Sequence, residues 1–236
     1  DPTLSFVVEG GRTIVANFTL NSFEITTQAN PEDGGTVTGA GTYQNGMICT
    51  LKATAADGYS FYKWTKDDKR VSTRATYTFT VTEGGEYVAH FRQNYAITAT
   101  ANPENGGTIM GAGMYSEGST ATLTATANEG YVFVNWTEDG EEISTDAVYS
   151  FTMEGPRTLV AHFTLNSYEI TATANPSNGG TVTGGGTYDH FEEVTLTAVA
   201  AEGYHFVEWT ENQEVLSTDP TLSFVVEGGR TIVANF

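Results

Sequence analysis

One eight-residue segment occurs three times and limits what this chain can fold into. It reads Gly58-Tyr59-Ser60-Phe61-Tyr62-Lys63-Trp64-Thr65, then Gly130-Tyr131-Val132-Phe133-Val134-Asn135-Trp136-Thr137, then Gly203-Tyr204-His205-Phe206-Val207-Glu208-Trp209-Thr210. Trp64, Trp136 and Trp209 are the only 3 tryptophans among 236 residues. A fixed period of about 72 residues signals tandem units and outranks the domain count suggested by length. Comparing the copies divides the chain into repeats at 19–91, 92–163 and 164–236. Residues 1–18 are identical to residues 219–236. They read as the last hairpin of a preceding repeat, and the chain reads as a window on a longer array.

The third repeat has the clearest pattern. Tyr168-Glu169-Ile170-Thr171-Ala172-Thr173-Ala174 alternates apolar and polar residues, as a half-buried strand does. Asn175-Pro176 ends it, because proline donates no ladder hydrogen bond. Asn178-Gly179, matched by Asp33-Gly34 and Asn105-Gly106, has the chemistry of a two-residue hairpin turn. Trp209 is out of phase with Tyr204 and Phe206. The residue before each tryptophan is Lys63, Asn135 or Glu208, all of which read as exposed. A β-bulge that turns the tryptophan inward resolves the conflict. No stretch has a 3.6-residue period. The expectation is an all-β, mainly antiparallel fold of three tandem small domains, each of about six strands. The joins between repeats contain no glycine or proline, so a stiff, elongated rod is expected. A core of this size is marginal without a disulfide or a metal. Neighbouring repeats are therefore the expected partners of each repeat.

Composition removes several function classes. Asp and Glu outnumber Lys and Arg by 29 to 10, for a net charge of −19. Such a surface repels phosphate, so nucleic acid is not an expected partner. No apolar run approaches the ~20 residues of a membrane helix, so direct membrane insertion is not expected. Cys49 is the only cysteine, which excludes an intrachain disulfide. Its counterparts are Ala121 and Val194, which mark it as a small core residue.

A reacting group serving every repeat would recur at one position, and none does. His90 and His162 align with Asn17 and Asn235, His205 aligns with Ser60 and Val132, and His190 stands alone. Solvated or turn histidines are the simplest reading. The loops after the tryptophans, such as Lys66-Asp67-Asp68, lack the spaced oxygen donors of a calcium loop. Glu141-Glu142 and Glu192-Glu193 do not recur, and acid–base work needs carboxyls with opposed environments in one cleft. Gly184 to Gly186 lack the lysine and helix of a phosphate cradle. All four lysines (Lys52, Lys63, Lys66, Lys69) lie in the first repeat, so no Lys–Asn crosslink can be general. No catalytic residue, cofactor or metal is expected. The recurring aromatics Tyr59, Phe61, Trp64, Tyr131, Phe133, Trp136, Tyr204, Phe206 and Trp209 read as repeat core, and Tyr62 as the exposed aromatic.

The order Tyr-x-Ile-x-Ala, Asn-Pro, Gly-Gly-Thr, Gly-x-Gly-x-Tyr, Leu-x-Ala, Gly-Tyr-x-Phe-x-x-Trp and Val-Ala-x-Phe resembles the divergent branch of the InlB B-repeat family. The resemblance covers the whole chain, with residues 1–18 matching only the last hairpin. Thr27 and Met114 are small departures from it. It implies a small β-rich domain related to a β-grasp, in secreted or wall-anchored bacterial surface proteins that use such repeats as stalks and adhesion modules. It carries over no catalytic residues.

Together these readings describe a non-enzymatic stalk or adhesin scaffold at the bacterial cell surface. The alternatives are a module binding carbohydrate or host matrix, with a glycan or a host protein as partner, and a self-assembling surface filament.

Overall fold

The structure is a computed structural model that describes residues 3–236. The chain divides into two compact units, Asp1–Asn94 and Tyr95–Phe236. Among the described residues there is no α-helix.

The first unit holds one repeat built as two facing sheets. Its strands are β1 (Ser22–Asn30), β2 (Gly35–Thr38), β3 (Gly41–Gln44), β4 (Ile48–Ala55), β5 (Tyr59–Lys66), β6 (Lys69–Ser72), β7 (Thr76–Thr80) and the start of β8 (Gly85–Asn102). One sheet runs β3–β1–β8–β5–β6, and the other β2–β4–β7. The first and last strands lie side by side and parallel, from Ile25 opposite Gly85 to Asn30 opposite His90. All the other pairings of this repeat are antiparallel. β4 sends Cys49, Leu51 and Ala53 into the core and Thr50, Lys52 and Thr54 outward. That period of two matches a sheet with one wet face.

The second unit holds two repeats of the same plan. The first comprises the C-terminal part of β8 with β9 (Gly107–Met110), β10 (Gly113–Ser116), β11 (Thr120–Ala127), β12 (Tyr131–Glu138), β13 (Glu141–Ser144), β14 (Val148–Thr152) and β15 (Arg157–Leu165). The second comprises β16 (Ser167–Asn175), β17 (Gly180–Thr183), β18 (Gly186–Asp189), β19 (Glu193–Ala200), β20 (Glu208–Glu211), β21 (Glu214–Ser217), β22 (Thr221–Val225) and β23 (Arg230–Asn235). The first and last strands again pair in parallel, β8 with β15 and β16 with β23. Three hydrophobic clusters result, one per repeat, each built around its tryptophan.

Several expectations change. Each repeat has eight strands, because short strands form at the Gly-x-Gly-x-Tyr segment and again after each tryptophan. The segments at Asp33-Gly34, Asn105-Gly106 and Asn178-Gly179 are not hairpin turns. Glu32–Gly34 and Glu104–Gly106 form single 3-10 turns, and the Gly179 N–H closes a similar turn on the Pro176 carbonyl at 2.8 Å. They carry the chain from one sheet to the other, since β1 pairs with β3 and β8 and never with β2. The glycines serve packing: a Cβ at Gly34 would stand 2.8 Å from the Phe91 Cβ, and one at Gly106 2.7 Å from the Phe163 Cβ.

Asp1 and Pro2 of the expected first hairpin lie outside the described residues. Residues 3–21 form no strand and are exposed throughout. An isolated hairpin is unstable in water. The same sequence at 219–236 forms β22 and β23 because β16, β19 and β20 receive it.

Candidate functional site

The recurring tryptophan is the natural centre for a candidate site. Pairing slips between Phe61 and Lys63 and again between Trp64 and Thr65. The same slips occur between Phe133 and Asn135 and after Trp136, and after Trp209. Each bulge swings its indole inward, and all three tryptophans are 0% exposed. The Trp64 indole N–H donates to the Ala75 carbonyl at 3.2 Å. Phe61, Phe133 and Phe206 lie half-buried 5.7–6.0 Å from their tryptophans and meet Phe91, Phe163 and Phe236 edge-on. Tyr59 and Tyr131 are half-buried, opposite Gln93 and Leu165. Tyr204 departs from the expected core: it is 39% exposed, residues 204–207 form no strand, and no strand lies opposite it. Lys63, Asn135 and Glu208 are half-buried rather than exposed.

Near each tryptophan a threonine pairs across the strands, whereas the buried indole N–H groups of Trp136 and Trp209 have no hydrogen-bond partner among the described residues. The Thr65 hydroxyl and His90 Nε2 share a hydrogen bond of 2.8 Å, and Thr137 and His162 Nε2 share one of 2.9 Å. In the third repeat the Asn235 amide donates to Thr210 at 2.9 Å. His90 and His162 are thus strand residues with a cross-strand partner, not solvated histidines. Burial, and then the charge of Lys63, hold His90 below the usual histidine range, with Asp68 opposing. His205 is exposed. His190 does sit in a turn, but it is only 6% exposed and packs edge-on against Phe191 at 4.1 Å.

A second recurring pair has no counterpart among the residues that the sequence singles out. Arg157 holds both carboxylate oxygens of Glu138, with Nε at 3.0 and 3.1 Å and Nη2 at 2.5 Å. Its guanidinium stacks 4.1 Å from the centre of the Phe151 ring. Arg230 repeats this with Glu211 and Phe224. The hydrogen bonds from each arginine depress both carboxyls below the usual range. The first repeat has Lys66 and Gly85 at these positions, and Lys66 pairs with Glu83 instead. There Tyr87 fills the space, stacked 4.8 Å from Phe79, and burial pushes its phenol up to about 12. A sequence signal for the pair does exist: Glu and Arg recur together in two repeats and are lost together in the other.

None of these pairs opens onto a cleft. A shallow groove at the edge of the second repeat is lined by Ala99, Thr100, Ala101, Glu104, Gly107 and Ile109, with one titratable side chain. Among the described residues no three His, Cys, Asp or Glu side chains gather as a metal set. Glu142 accepts from the Asn135 amide at 2.6 Å, and Glu192 from the Asp189 N–H at 3.0 Å. Tyr62, 42% exposed, lies under the Arg92 guanidinium at 3.5 Å and near Lys63. Among the described residues no helix is long and apolar enough to cross a membrane.

The divergent InlB B-repeat domain matches this chain three times, at residues 25–95, 97–167 and 170–236. These spans begin a few residues later than the repeats marked by sequence comparison. No curated protein matches the chain. Among solved structures, the Bacillus anthracis TIE protein is similar over 92% of this chain at 13% identity, with a TM-score of 0.34. The chain spans 50% of that structure's length.

Proposed function

The chain belongs to the divergent InlB B-repeat family, and from that premise we propose that it is a non-enzymatic tandem-repeat segment of a bacterial cell-surface protein, serving as a stalk or adhesin scaffold. One observation carries the reading. Side chains that recur in the repeats pack or pair within their own repeat: tryptophan with a phenylalanine that meets a second one edge-on, threonine with histidine or asparagine, glutamate with arginine. Groups buried or paired within their own sheets in this way serve packing and pairing rather than presenting themselves to a substrate. The role is extracellular, needs no cofactor, and consists of reach and repeated weak contact. The acidic exterior keeps such a molecule soluble and repels anionic surfaces.

Small-angle scattering of residues 1–236 tests the reading. A compact domain of this size spans about 30 Å, so a stalk gives a longest dimension of roughly 90 Å. A value near that of one globule of the same mass overturns it. A host-glycan or matrix module is the second reading, and Tyr62 is the exposed aromatic in its favour. Val134 and Val207 hold the matching positions, so such binding would sit in the first repeat and would not grow with repeat number on a glycan array.

A further inference from the structure

The short strand after each tryptophan is the same piece of structure in every repeat, but its charge reverses between the first repeat and the second. β6, β13 and β21 pair with β5, β12 and β20 alone, and no strand among the described residues covers their other side. Ser72, Ser144 and Ser217 stand opposite Trp64, Trp136 and Trp209, which fixes the equivalence. At matching positions the first repeat has Lys69, Arg70 and Arg74, and the second has Glu141, Glu142 and Asp146. All six are exposed, and none joins an ion pair among the described residues. The turn from Arg70 to Arg74 lines a shallow concavity. The second repeat has a repeat before and after it in sequence and its edge is still exposed. The exposure therefore follows from the place of this strand within a repeat, not from the ends of the chain.

An open strand edge is a template for a further strand, and the charge placed on it selects which strand can come. Two first-repeat edges would set Lys69 and Arg70 against their own kind. Two second-repeat edges would do the same with Glu141 and Glu142. A first-repeat edge beside a second-repeat edge brings opposite charges within reach of one another. We propose that β6 of one copy of this chain pairs with β13 of a second copy, so that molecules associate edge to edge with an offset of one repeat. The chain holds both halves of the match. Its first repeat carries 6 of the 10 Lys and Arg against 8 acidic residues, and its second carries 2 against 9. The third repeat is a poorer receiver, because Val215 stands at the position of Glu142.

The contact is weak for a single pair of edges. Exposed ion pairs are screened by salt, and strands of 4 residues offer few backbone hydrogen bonds. A Kd of about 0.1 to 1 mM is expected. High density on a surface raises the effective concentration and multiplies such contacts. Copies also repel one another through their net charge of −19. At about 0.15 M salt that repulsion is screened beyond ~8 Å while touching pairs still act, and at about 1 M the touching pairs are damped too. The inference does not depend on the stalk reading.

The test is sedimentation of the whole chain in a concentration series reaching about 1 mM, at both salt levels. The expected result is reversible association at the lower salt and association roughly tenfold weaker at the higher. Amide exchange over 69–72 and 141–144 slows as concentration rises, a readout that needs no substitution. K69E/R70E/R74E weakens association by roughly tenfold, and so does E141K/E142K/D146K. The second triple does so although it lowers the net charge, which separates the edge contact from general repulsion. E104K/E117K/E154K makes the same change of net charge away from the edge and does not weaken association. An equal mixture of the two edge triples, one with both edges acidic and the other with both basic, associates again. A monomer throughout, an edge triple that associates like the parent, a mixture that stays monomeric, or association without slowed exchange at these strands overturns the proposal.

Discussion

Gly130 lies directly beneath the His190 ring: a Cβ built on Gly130 would stand 2.3 Å from the imidazole Cδ2. The two residues belong to successive repeats of the second unit. Gly58 and Gly203 hold the same place in the other repeats, where a methyl group would have nothing within 4 Å. All three have similar positive φ angles, 81°, 78° and 84° for Gly58, Gly130 and Gly203. Alanine at any of them costs about 1 kcal/mol of left-handed strain. At Gly130 the clash adds about 1–3 kcal/mol. G130A should therefore melt well below G58A and G203A. Adding H190N, which puts there the asparagine found at Asn45, should recover the difference. Equal melting of the three single variants would show that the His190 ring gives way freely.

The clasp of Arg157 on Glu138 should be the most sensitive surface pair of the second repeat. Both side chains are largely shielded, at 19% and 25% exposed, and the grip is two-pronged and stacked on an aromatic ring. R157K keeps the charge but loses the fork and the stack. A loss of about 1–2 kcal/mol is expected in chemical denaturation, from the strength of charge-assisted bonds. E138Q should cost about as much, and the double variant less than the sum. Additive losses would mean the two residues do not act together.

Stability should fall with acid in two stages. His90 titrates lower in the fold than in the open chain, so the unfolded state takes up its proton first. Its contribution is complete above the ordinary value of about 6.5 and drains as pH drops below it. H90N, which installs the residue found at Asn235, should flatten that first slope. Glu138 and Glu211 also titrate low in the fold. Their contribution is complete above the ordinary value of about 4.3 and is lost as pH drops through their folded values. Tyr87 acts at the other end: its phenol is raised to about 12, so its contribution holds below about 10 and fades as pH climbs toward 12. Melting temperature across the pH range reads all three limbs. A profile flat from pH 6.5 to 5 would contradict the His90 limb.

Cys49 should report the opening of the first repeat. It is fully buried, and its Sγ lies 3.6 Å from the Gly39 carbonyl. An aromatic disulfide reagent should label it at the rate of unfolding and no faster. C49A places there the residue of Ala121 and should cost below about 1.5 kcal/mol, the loss of one small buried group. Rapid labelling of the folded protein would mean that β4 opens on its own.

Some features of this fold are legible in the sequence and others are hidden. The inward tryptophan and its bulge can be read because Trp64, Trp136 and Trp209 fall out of phase with Phe61, Phe133 and Phe206, although Lys63, Asn135 and Glu208 prove half-buried rather than exposed. The turns at Asn105-Gly106 and its equivalents resemble hairpins because glycine has two uses, left-handed backbone and close approach. Phe163 shows that the second applies here, and no local pattern distinguishes them. His190 cannot be placed from its own neighbours alone because part of the surface that covers it, at Gly130, belongs to the preceding repeat. The Arg157–Glu138 clasp is within reach of sequence comparison, since its loss in the first repeat removes both partners at once.

The side-by-side pairing of first and last strands has a kinetic consequence. Asn175 and Asn235 bond across a separation of 60 residues, and the intervening chain must be gathered before that ladder can form. Such high contact order places folding in the millisecond-to-second range. A chain emerging amino end first from a ribosome cannot latch any repeat until its final strand is free. Every unfinished copy waits as pliable polymer, and each hardens only once its closing strand has cleared the exit.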